Sequence, residues 1–263
     1  MIKIAQVITR IESGGTYDIL IALISKLNKE KYQTTLILAP FDRTKEAIEK
    51  IALVHKVKII YIPELTREIH PVNDIIALWK LYKIFKYEKF QIVHTHTSKA
   101  GFLGRFASKL AKIPKIVHTP HGHIFYGYFG YLKAQLLIVL ERFASKFSTK
   151  IIVFTELEKK DHLKLNIGTE DKFVILPNGI NLEKFKIQKS KNSNKKNIVF
   201  ISRLVPIKGH IYFFEAMREI IKKVPEAQAI IVGDGPLREA LELKVKELDI
   251  YSNITFLGER DDI

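Results

Sequence analysis

The loop SRLVPIKGH, residues 202–210, places two cations between an apolar run and a helical pattern. Arg203 offers a planar fork that can hold a phosphate through two hydrogen bonds, and Lys208 adds a compact charge. Gly209 precedes the helical pattern, and a helix N-terminus supplies further backbone donors. These groups fit a diphosphate better than a monophosphate, so we expect an anion site at this loop.

A second loop, VGDGPLREAL, follows the next apolar run. Gly233 and Gly235 are expected to clear space for a ligand, and Pro236 to open a helix in its first turn. Each loop by itself also fits a plain structural turn. Because the carboxyl ends of neighbouring parallel strands line one crevice, two such loops in succession favour a ligand site.

Five of the nine histidines lie within residues 94–123. One interpretation is a metal cluster, but neither histidine segment contains an Asp or Glu to complete a typical ligand shell. A second is that these side chains only satisfy backbone groups at strand ends. The third, which we favour, makes one or two of them polar walls of an active-site cleft, since the corner Pro120–His121–Gly122 would present His121 at the sheet rim. The five are His94, His96, His118, His121 and His123.

Two further segments carry weaker signals. Gly14 and Gly15 lie between the first predicted strand and helix, where an amide could approach a phosphate, but they match neither the dinucleotide fingerprint nor the P-loop. A tight turn fits them equally well. The aromatic stretch HIFYGYFGY, residues 123–131, suits sugar stacking or a membrane interface, with burial under the next helix as the alternative.

Composition bounds the class of protein. The chain has 263 residues, no cysteine and a net charge of +15. The absence of cysteine fits a reducing cytosol and excludes thiolate metal sites. The basic charge favours polyanionic partners or reflects compositional bias. We find no signal peptide and no bilayer-spanning segment, and expect a cytoplasmic protein with peripheral contact at the inner face of the plasma membrane.

The segment NDIIALWKLYKIFKYEKF carries Lys80, Lys83 and Lys86 on one helical face. Beside them runs an apolar row of Ile76, Trp79, Tyr82 and Phe85. Such a basic amphipathic helix can lie on an anionic membrane. We favour the ordinary interpretation, a helix packed on the core with a solvated basic face.

The elements that must position these residues alternate along the chain. Short β-branched runs are separated by helical patterns, which predicts a parallel sheet covered by helices on both faces, hence an α/β fold. We predict an N-terminal domain over 1–186, a polar linker over 187–196, and a second domain over 197–263. That second stretch predicts only three strands and two helices, so we expect an incomplete doubly wound domain. The predicted strands are 3–9, 34–39, 57–62, 92–95, 115–119, 151–154, 173–176, 197–201, 227–232 and 254–257, and the helices are 17–28, 44–53, 73–87, 99–111, 131–146, 156–163, 211–224 and 237–248.

Six segments in order resemble the retaining, sugar-nucleotide-dependent glycosyltransferases of the GT-B fold, glycosyltransferase family 4. They are HTHTSKAGFLGR, HTPHGHIFYG, PNGINLEKF, SRLVPIKGH, VGDGPLREAL and ITFLGERDDI. The resemblance implies two Rossmann-like domains, an acceptor-side domain followed by a domain that binds the nucleotide-sugar. It also implies a nucleotide-sugar co-substrate, a glycan or lipid-linked acceptor, and no bound metal.

Position by position, the resemblance implies that Gly15 lies near the donor diphosphate and that His121 lies beside the transferred sugar. Arg203 and Lys208 would neutralise the diphosphate leaving group, and Gly233 would line the nucleotide pocket. On the acceptor side we place Gly14, His123 and Tyr126 as candidates.

The sequence departs from the family after FLGERDDI, where the glutamate pair that helps hold the donor sugar and ribose would follow. A truncated, non-catalytic binding module of the same fold, acting on an acceptor, a partner or a membrane surface, is therefore the alternative function. We do not expect a nucleic-acid binder, because the chain carries no such motif and its aromatic residues do not interleave with Lys and Arg.

Overall fold

The computed structural model describes residues 1–11, 15–122, 130–179 and 196–260. The chain divides into two compact units, Met1–Phe185 and Lys186–Ile263. The predicted alternation of strands and helices is confirmed in both, and element ends differ from prediction by no more than two residues. The agreement follows from the local signals used, apolar periodicity and turn residues, which fix an element's type before its partners are known.

The first unit is built on a parallel sheet of seven strands in the order β3-β2-β1-β4-β5-β6-β7. The order reverses between β1 and β4, so these neighbours form a topological switch point, where open α/β sheets bind ligands. The strands are β1 Ile2–Val7, β2 Tyr32–Leu38, β3 Lys58–Tyr61, β4 Ile92–His96, β5 Lys115–Thr119, β6 Lys150–Val153 and β7 Phe173–Ile175.

Helices cover both faces of this sheet. Strand β2 shows why, since Leu36 and Leu38 join one apolar core and Ile37 between them joins the other. Alternate residues of a strand point to opposite faces, so each face needs its own cover. Helices α1 and α2 contribute to the first core, and α3 and α4 to the second, with α4 packed between α3 and α5. The helices are α1 Gly15–Lys26, α2 Asp42–Val54, α3 Pro71–Glu88, α4 Ser98–Leu110, α5 Tyr131–Ser145 and α6 Glu156–Lys164.

Helix α3 packs on the core as predicted, but through a face offset from the predicted apolar row. Ala77, Leu81 and Phe85 are buried, whereas Ile76 and Trp79 are exposed. Residues four apart share a helical face, so the 77-81-85 row excludes 76 and 79 from the core. Within the described residues, no helix is both long and apolar enough to cross a bilayer.

The second unit holds a three-stranded parallel sheet in the order β10-β9-β8, with β8 Asn197–Ile201, β9 Gln228–Val232 and β10 Ile254–Gly258. Helices α7 His210–Lys223 and α8 Arg238–Glu247 pack on one face through a buried cluster. On β8, the alternate residues Val199 and Ile201 are exposed.

The prediction that Pro236 opens α8 is wrong, because the helix begins at Arg238. The backbone amide of Leu237 donates to the carbonyl of Leu204 at 3.2 Å, so a contact with the neighbouring loop holds the turn that precedes the helix. The predicted linker, residues 187–196, lies outside the described residues except for Lys196.

Candidate functional site

The carboxyl edge of the first sheet gathers polar side chains at the switch point. In the register of β1 and β4, Gln6 lies opposite His94, and in that of β4 and β5, His96 lies opposite Thr119. All four side chains are buried. Buried polar groups require hydrogen-bond partners, and these groups find them in one another.

A chain of hydrogen bonds leads from the sheet to His121. Gln6 Oε1 lies 2.8 Å from His96 Nε2, and His96 Nδ1 lies 2.8 Å from His121 Nε2. The His121 ring also lies beside Phe154, with ring centroids 5.7 Å apart. Three strand ends thus hold the imidazole of His121 in one orientation.

Two of the other histidines are used inside the fold. His94 Nε2 lies 2.7 Å from Thr119 Oγ1, and His118 Nδ1 lies 3.0 Å from Thr95 Oγ1 and 3.2 Å from the Thr95 carbonyl. These contacts join β4 to β5, so the structural interpretation holds for His94 and His118. Among the described residues, no group of three or more His, Asp or Glu is arranged to hold a metal ion.

The histidines of this cluster are neutral at pH 7. Burial lowers the pKa of His121 to about 4, and burial followed by the proximity of His121 lowers that of His94 to about 3. Burial, and then the neighbouring imidazoles, hold the pKa of His96 well below its ordinary value. Moving the charged imidazolium out of water is costly, and no carboxylate of the described residues offsets that cost.

The tautomers follow from the partners. An amide oxygen only accepts, so neutral His96 donates from Nε2 to Gln6 Oε1 and its Nδ1 accepts from Nε2–H of His121. Nδ1 of His121 is then a bare acceptor. It is buried and has no hydrogen-bond partner among the described residues. Such an atom can accept a hydrogen bond from a ligand hydroxyl.

The backbone at His121 supports a special role for this corner. His121 has φ 59° and Gly122 has φ 105°, so two successive residues occupy the left-handed region. A residue with a Cβ is uncommon there, and such conformations cluster at functional sites. The strand exit therefore turns sharply, as the sequence predicted, and aims the ring of His121 back at β4.

Gly15 is the first residue of α1 and is exposed. A Cβ built on Gly15 would meet no atom of the described residues within 4 Å, so none of these atoms requires a glycine here. The position of Gly15 in the first turn of α1 is one where backbone amides can bind an anion, and its role there stays a prediction. The acceptor-side candidates Gly14, His123 and Tyr126 lie outside the described residues.

The sequence reasoning missed a layer of residues that supports the histidines. A Cβ on Gly101 would lie 2.4 Å from Cε1 of His118, and one on Gly104 would lie 2.6 Å from Cγ2 of Thr95. These two glycines let α4 approach β4 and β5 closely. The sequence AGFLGR could have predicted this close packing, because two glycines three residues apart lie on the same face of a helix.

In the same helix, Arg105 is completely buried and donates from Nη2 to both carboxylate oxygens of Glu141, at 2.7 and 2.8 Å. Its Nε donates to the carbonyl of Gly101 at 2.8 Å. The pair links α4 to α5, and it explains why a helix with an apolar outer face carries a glutamate.

In the second unit, Arg203 and Lys208 lie on the loop between β8 and α7, and both are exposed. Neither forms an ion pair within the described residues, whereas Lys222, Arg238 and Lys244 of the following helices each have a carboxylate nearby. Helix α7 begins at His210, directly after Gly209 with φ 70°. The loop thus presents two unsatisfied cations beside a helix N-terminus, as predicted from the sequence.

His210, which the prediction did not single out, anchors this loop. It is buried, and its Nε2 lies 3.0 Å from Oγ of Ser202. Burial, and then the charge of Lys208, lower the pKa of His210.

Gly233 has a structural reason to be glycine. It has φ 124°, and a Cβ there would lie 2.1 Å from the carbonyl oxygen of Ser202. The backbones of the two loops touch, with the amide of Leu204 donating to the carbonyl of Asp234 at 2.9 Å. The close approach of the two loops therefore accounts for a glycine at this position, and its place in the nucleotide pocket stays a prediction.

The comparisons with known proteins agree with these two units. Residues 13–184 match the profile of Glycosyltransferase Family 4, and residues 182–263 match that of Glycosyl transferases group 1. The predicted GT-B type of fold is supported by solved structures. The chain superposes in full on 70% of Anabaena HepE, solved with UDP and glucose, with a TM-score of 0.76 at 20% identity. It also superposes in full on 71% of a sucrose-phosphate synthase from Thermosynechococcus elongatus, with a TM-score of 0.73 at 17% identity.

Two curated relatives are similar in sequence. The chain is 36% identical over 222 residues to the Escherichia coli UDP-Gal:alpha-D-GlcNAc-diphosphoundecaprenol alpha-1,3-galactosyltransferase, an alignment that covers 79% of this chain and 57% of that one. It is 27% identical over 188 residues to the Staphylococcus aureus capsular polysaccharide biosynthesis glycosyltransferase CapM, covering 67% and 49%. The chain spans about half the length of these relatives. Since the first profile alone covers more than half of its residues, the chain belongs to Glycosyltransferase Family 4.

Proposed function

We propose that this protein transfers a sugar from a nucleotide-diphosphate donor to a lipid-linked or polysaccharide acceptor. The observation that carries the proposal is the loop after β8, where Arg203 and Lys208 are exposed and form no ion pair with a described carboxylate. The named activity of the Escherichia coli relative, which uses UDP-galactose and a diphosphoundecaprenol-linked acceptor, supports the same substrate classes.

In this proposal the cations act on the leaving group. Breaking the bond from the anomeric carbon to the diphosphate builds negative charge on the departing oxygens. Arg203 binds that charge through its planar fork and Lys208 adds a second positive charge, with the first amides of α7 as further donors. Groups fixed in position stabilise this charge more in the transition state than in the ground state.

The first unit supplies the surroundings of the transferred sugar. His121 presents a neutral Nδ1 that can accept a hydrogen bond from a sugar hydroxyl, and Gln6 and His96 hold it in that tautomer. Gly15 offers an open helix N-terminus to the donor diphosphate. The proposal includes retention of the anomeric configuration, with the acceptor attacking the face from which the leaving group departs.

Charge neutralisation by side chains leads us to propose that the reaction needs no resident metal. Turnover is then expected to persist in EDTA, and loss of turnover that Mg²⁺ restores would contradict this part. Anomeric NMR of the glycosylated product tests retention, and an inverted product would refute it.

The binding test uses calorimetry of UDP with Arg203→Ala and Lys208→Ala. Each change removes one charge-assisted contact worth about 1.5–3 kcal/mol, so UDP affinity should fall roughly 10- to 150-fold. Lys223→Ala, at the opposite end of α7, is the matched control and should bind UDP normally. Unchanged affinity in both loop variants would refute the assignment.

The activity test follows release of UDP from UDP-galactose with a lipid-linked acceptor. Loss of one such contact should raise the barrier by about 2–4 kcal/mol, a rate loss of roughly 30- to 900-fold. UDP binding without any turnover would instead favour the non-catalytic binding module.

A further inference from the structure

The outer face of α3 carries an unpartnered apolar stripe. Val72, Ile75, Ile76 and Trp79 are all exposed, and the Trp79 side chain is 55% accessible. At 100° per residue these positions fall on one side of the helix, opposite the buried row of Ala77, Leu81 and Phe85. The same side continues into Lys83, whose Nζ lies 3.4 Å from the centroid of the Trp79 ring.

Helix α5 repeats the pattern. Its exposed side carries four apolar residues, each three or four positions after the one before: Leu132, Leu136, Val139 and Phe143. The side chain of Leu132 is 83% accessible. The buried side is formed by Ala134, Ile138, Glu141 and Ala144. An exposed helix of a globular protein normally turns polar residues to solvent, whereas α5 turns this apolar stripe to solvent and buries Glu141.

Helix α4 connects the two stripes. It packs between α3 and α5, and its Phe106 ring, which is half-buried, lies 6.4 Å from Phe143 of α5. Leu110 at its end is exposed. The outward sides of the three helices, named here the docking face, therefore form one apolar surface larger than scattered exposed residues would make.

The docking face has cations but no available carboxylate. The three helices contain three acidic residues, and each is paired with a cation: Asp74 with Lys99 at 2.5 Å, Glu88 with Lys58 at 2.6 Å, and Glu141 with Arg105 at 2.7 Å. Lys83, Lys86 and Lys109 are exposed and form no ion pair within the described residues.

The opposite helical layer shows that this is not a general property of the chain. The exposed side of α2 alternates in charge, with Lys45, Glu46, Glu49 and Lys50. Its exposed apolar side chains, Leu53 and Val54, lie together at the end of the helix and form no stripe along it.

We propose that the docking face lies on an anionic phospholipid bilayer, with Trp79 and the α5 leucines at the acyl boundary and the lysines among the headgroups. Exposed apolar side chains with basic neighbours are the pattern of interfacial helices. A second copy of the chain is disfavoured as the occupant, because a two-fold contact would bring lysines against lysines in a protein of net charge +15. The inference rests on the proposed function, since a lipid-linked acceptor is met at such a surface.

The test uses the intrinsic fluorescence of the full chain, because Trp79 is its single tryptophan. Vesicles of phosphatidylglycerol and phosphatidylcholine should shift the emission of Trp79 to the blue, and brominated lipids should quench it. Pure phosphatidylcholine vesicles should bind far more weakly, and salt should weaken binding to the anionic ones. No shift with anionic vesicles, or equal binding to both kinds, would overturn the proposal. So would a blue shift that depends on protein concentration without lipid, since it would indicate self-association.

Substitutions on α3 and α5 test whether the docking face is the surface that binds the vesicles. Lys83→Gln with Lys86→Gln should weaken vesicle binding about 25-fold, from about 1 kcal/mol per lysine. Leu132→Gln should weaken it about tenfold or more. The matched control is Leu53→Gln on α2, where the leucine is 81% accessible on the opposite layer. An equal loss in the control would overturn the assignment of the face.

UDP binding, measured in parallel, separates this inference from the proposed function. If UDP binds normally and vesicles do not, the docking face is refuted and the glycosyltransferase proposal stands. If vesicles bind and UDP does not, the proposed function fails while the docking face is retained.

Discussion

The ion pair between Arg105 and Glu141 gives the most quantitative prediction of the structure. Glu141→Ala removes both carboxylate acceptors from a guanidinium that is completely buried, and leaves it bonded only to the Gly101 carbonyl. Nη1 of Arg105 already has no partner among the described residues, so nothing present replaces the lost contacts. Leaving a buried charge uncompensated costs about 3–5 kcal/mol.

The assay is urea unfolding followed by circular dichroism. Glu88→Ala is the matched control, since its two partners, Lys3 and Lys58, are 40% and 52% accessible and stay hydrated without it. Ion pairs with solvated partners contribute about 1 kcal/mol or less. Thermal unfolding should show the same order, at about 2–4 °C per kcal/mol for a unit of this size.

A double variant tests the reasoning itself. Arg105→Met with Glu141→Leu removes both charges and keeps apolar volume, so it should recover most of the stability lost in Glu141→Ala. If Glu141→Ala cost no more than Glu88→Ala, or if the double variant were as unstable as the single one, the uncompensated buried charge would not be the cause.

Three further outcomes follow from the histidine cluster. Gln6→Leu removes the acceptor that sets the tautomers of His96 and His121, so kcat should fall roughly 10- to 100-fold. Gln6→Glu keeps an accepting oxygen and should recover activity. A normal rate in Gln6→Leu would show that this chain of hydrogen bonds does not matter for turnover. Gly101→Ala places a methyl group against His118 and should destabilise the first unit by about 1–3 kcal/mol in urea unfolding; an unchanged midpoint would show that the helix can shift away. Because the pKa of His121 is lowered to about 4, the unfolded chain binds its proton first as the pH falls. Stability is therefore full above about pH 6.5 and should decline from there to pH 4, by about 3 kcal/mol for His121 alone; a pH-independent free energy of unfolding across this window would contradict the neutral assignment.

Local patterns in the sequence were enough to predict the elements and to place the candidate ligand loops between them. β-branched runs and apolar helical periodicity are properties of neighbouring residues, so they predicted each described strand and helix. The same holds for the loop after β8, because Arg203, Lys208 and Gly209 lie next to a strand end and a helix start. The corner at His121 was also readable, since Pro120 and Gly122 restrict the backbone on either side.

Contacts between distant residues were decided only by the tertiary structure. Gln6 meets His96, and Arg105 meets Glu141, across separations that no local pattern encodes. Gly233 illustrates the same limit, because the backbone that requires a glycine there belongs to Ser202 on another loop.

The docking face is a second example of this limit. The sequence predicted that α3 is an amphipathic helix, but it could not show which of its apolar rows the sheet covers. In α3 two apolar rows compete, and the row of Ala77, Leu81 and Phe85 packs on the core, leaving Trp79 outside. Element type is thus encoded within a few turns of chain, whereas burial depends on the shape of a partner surface that exists only once the chain has folded.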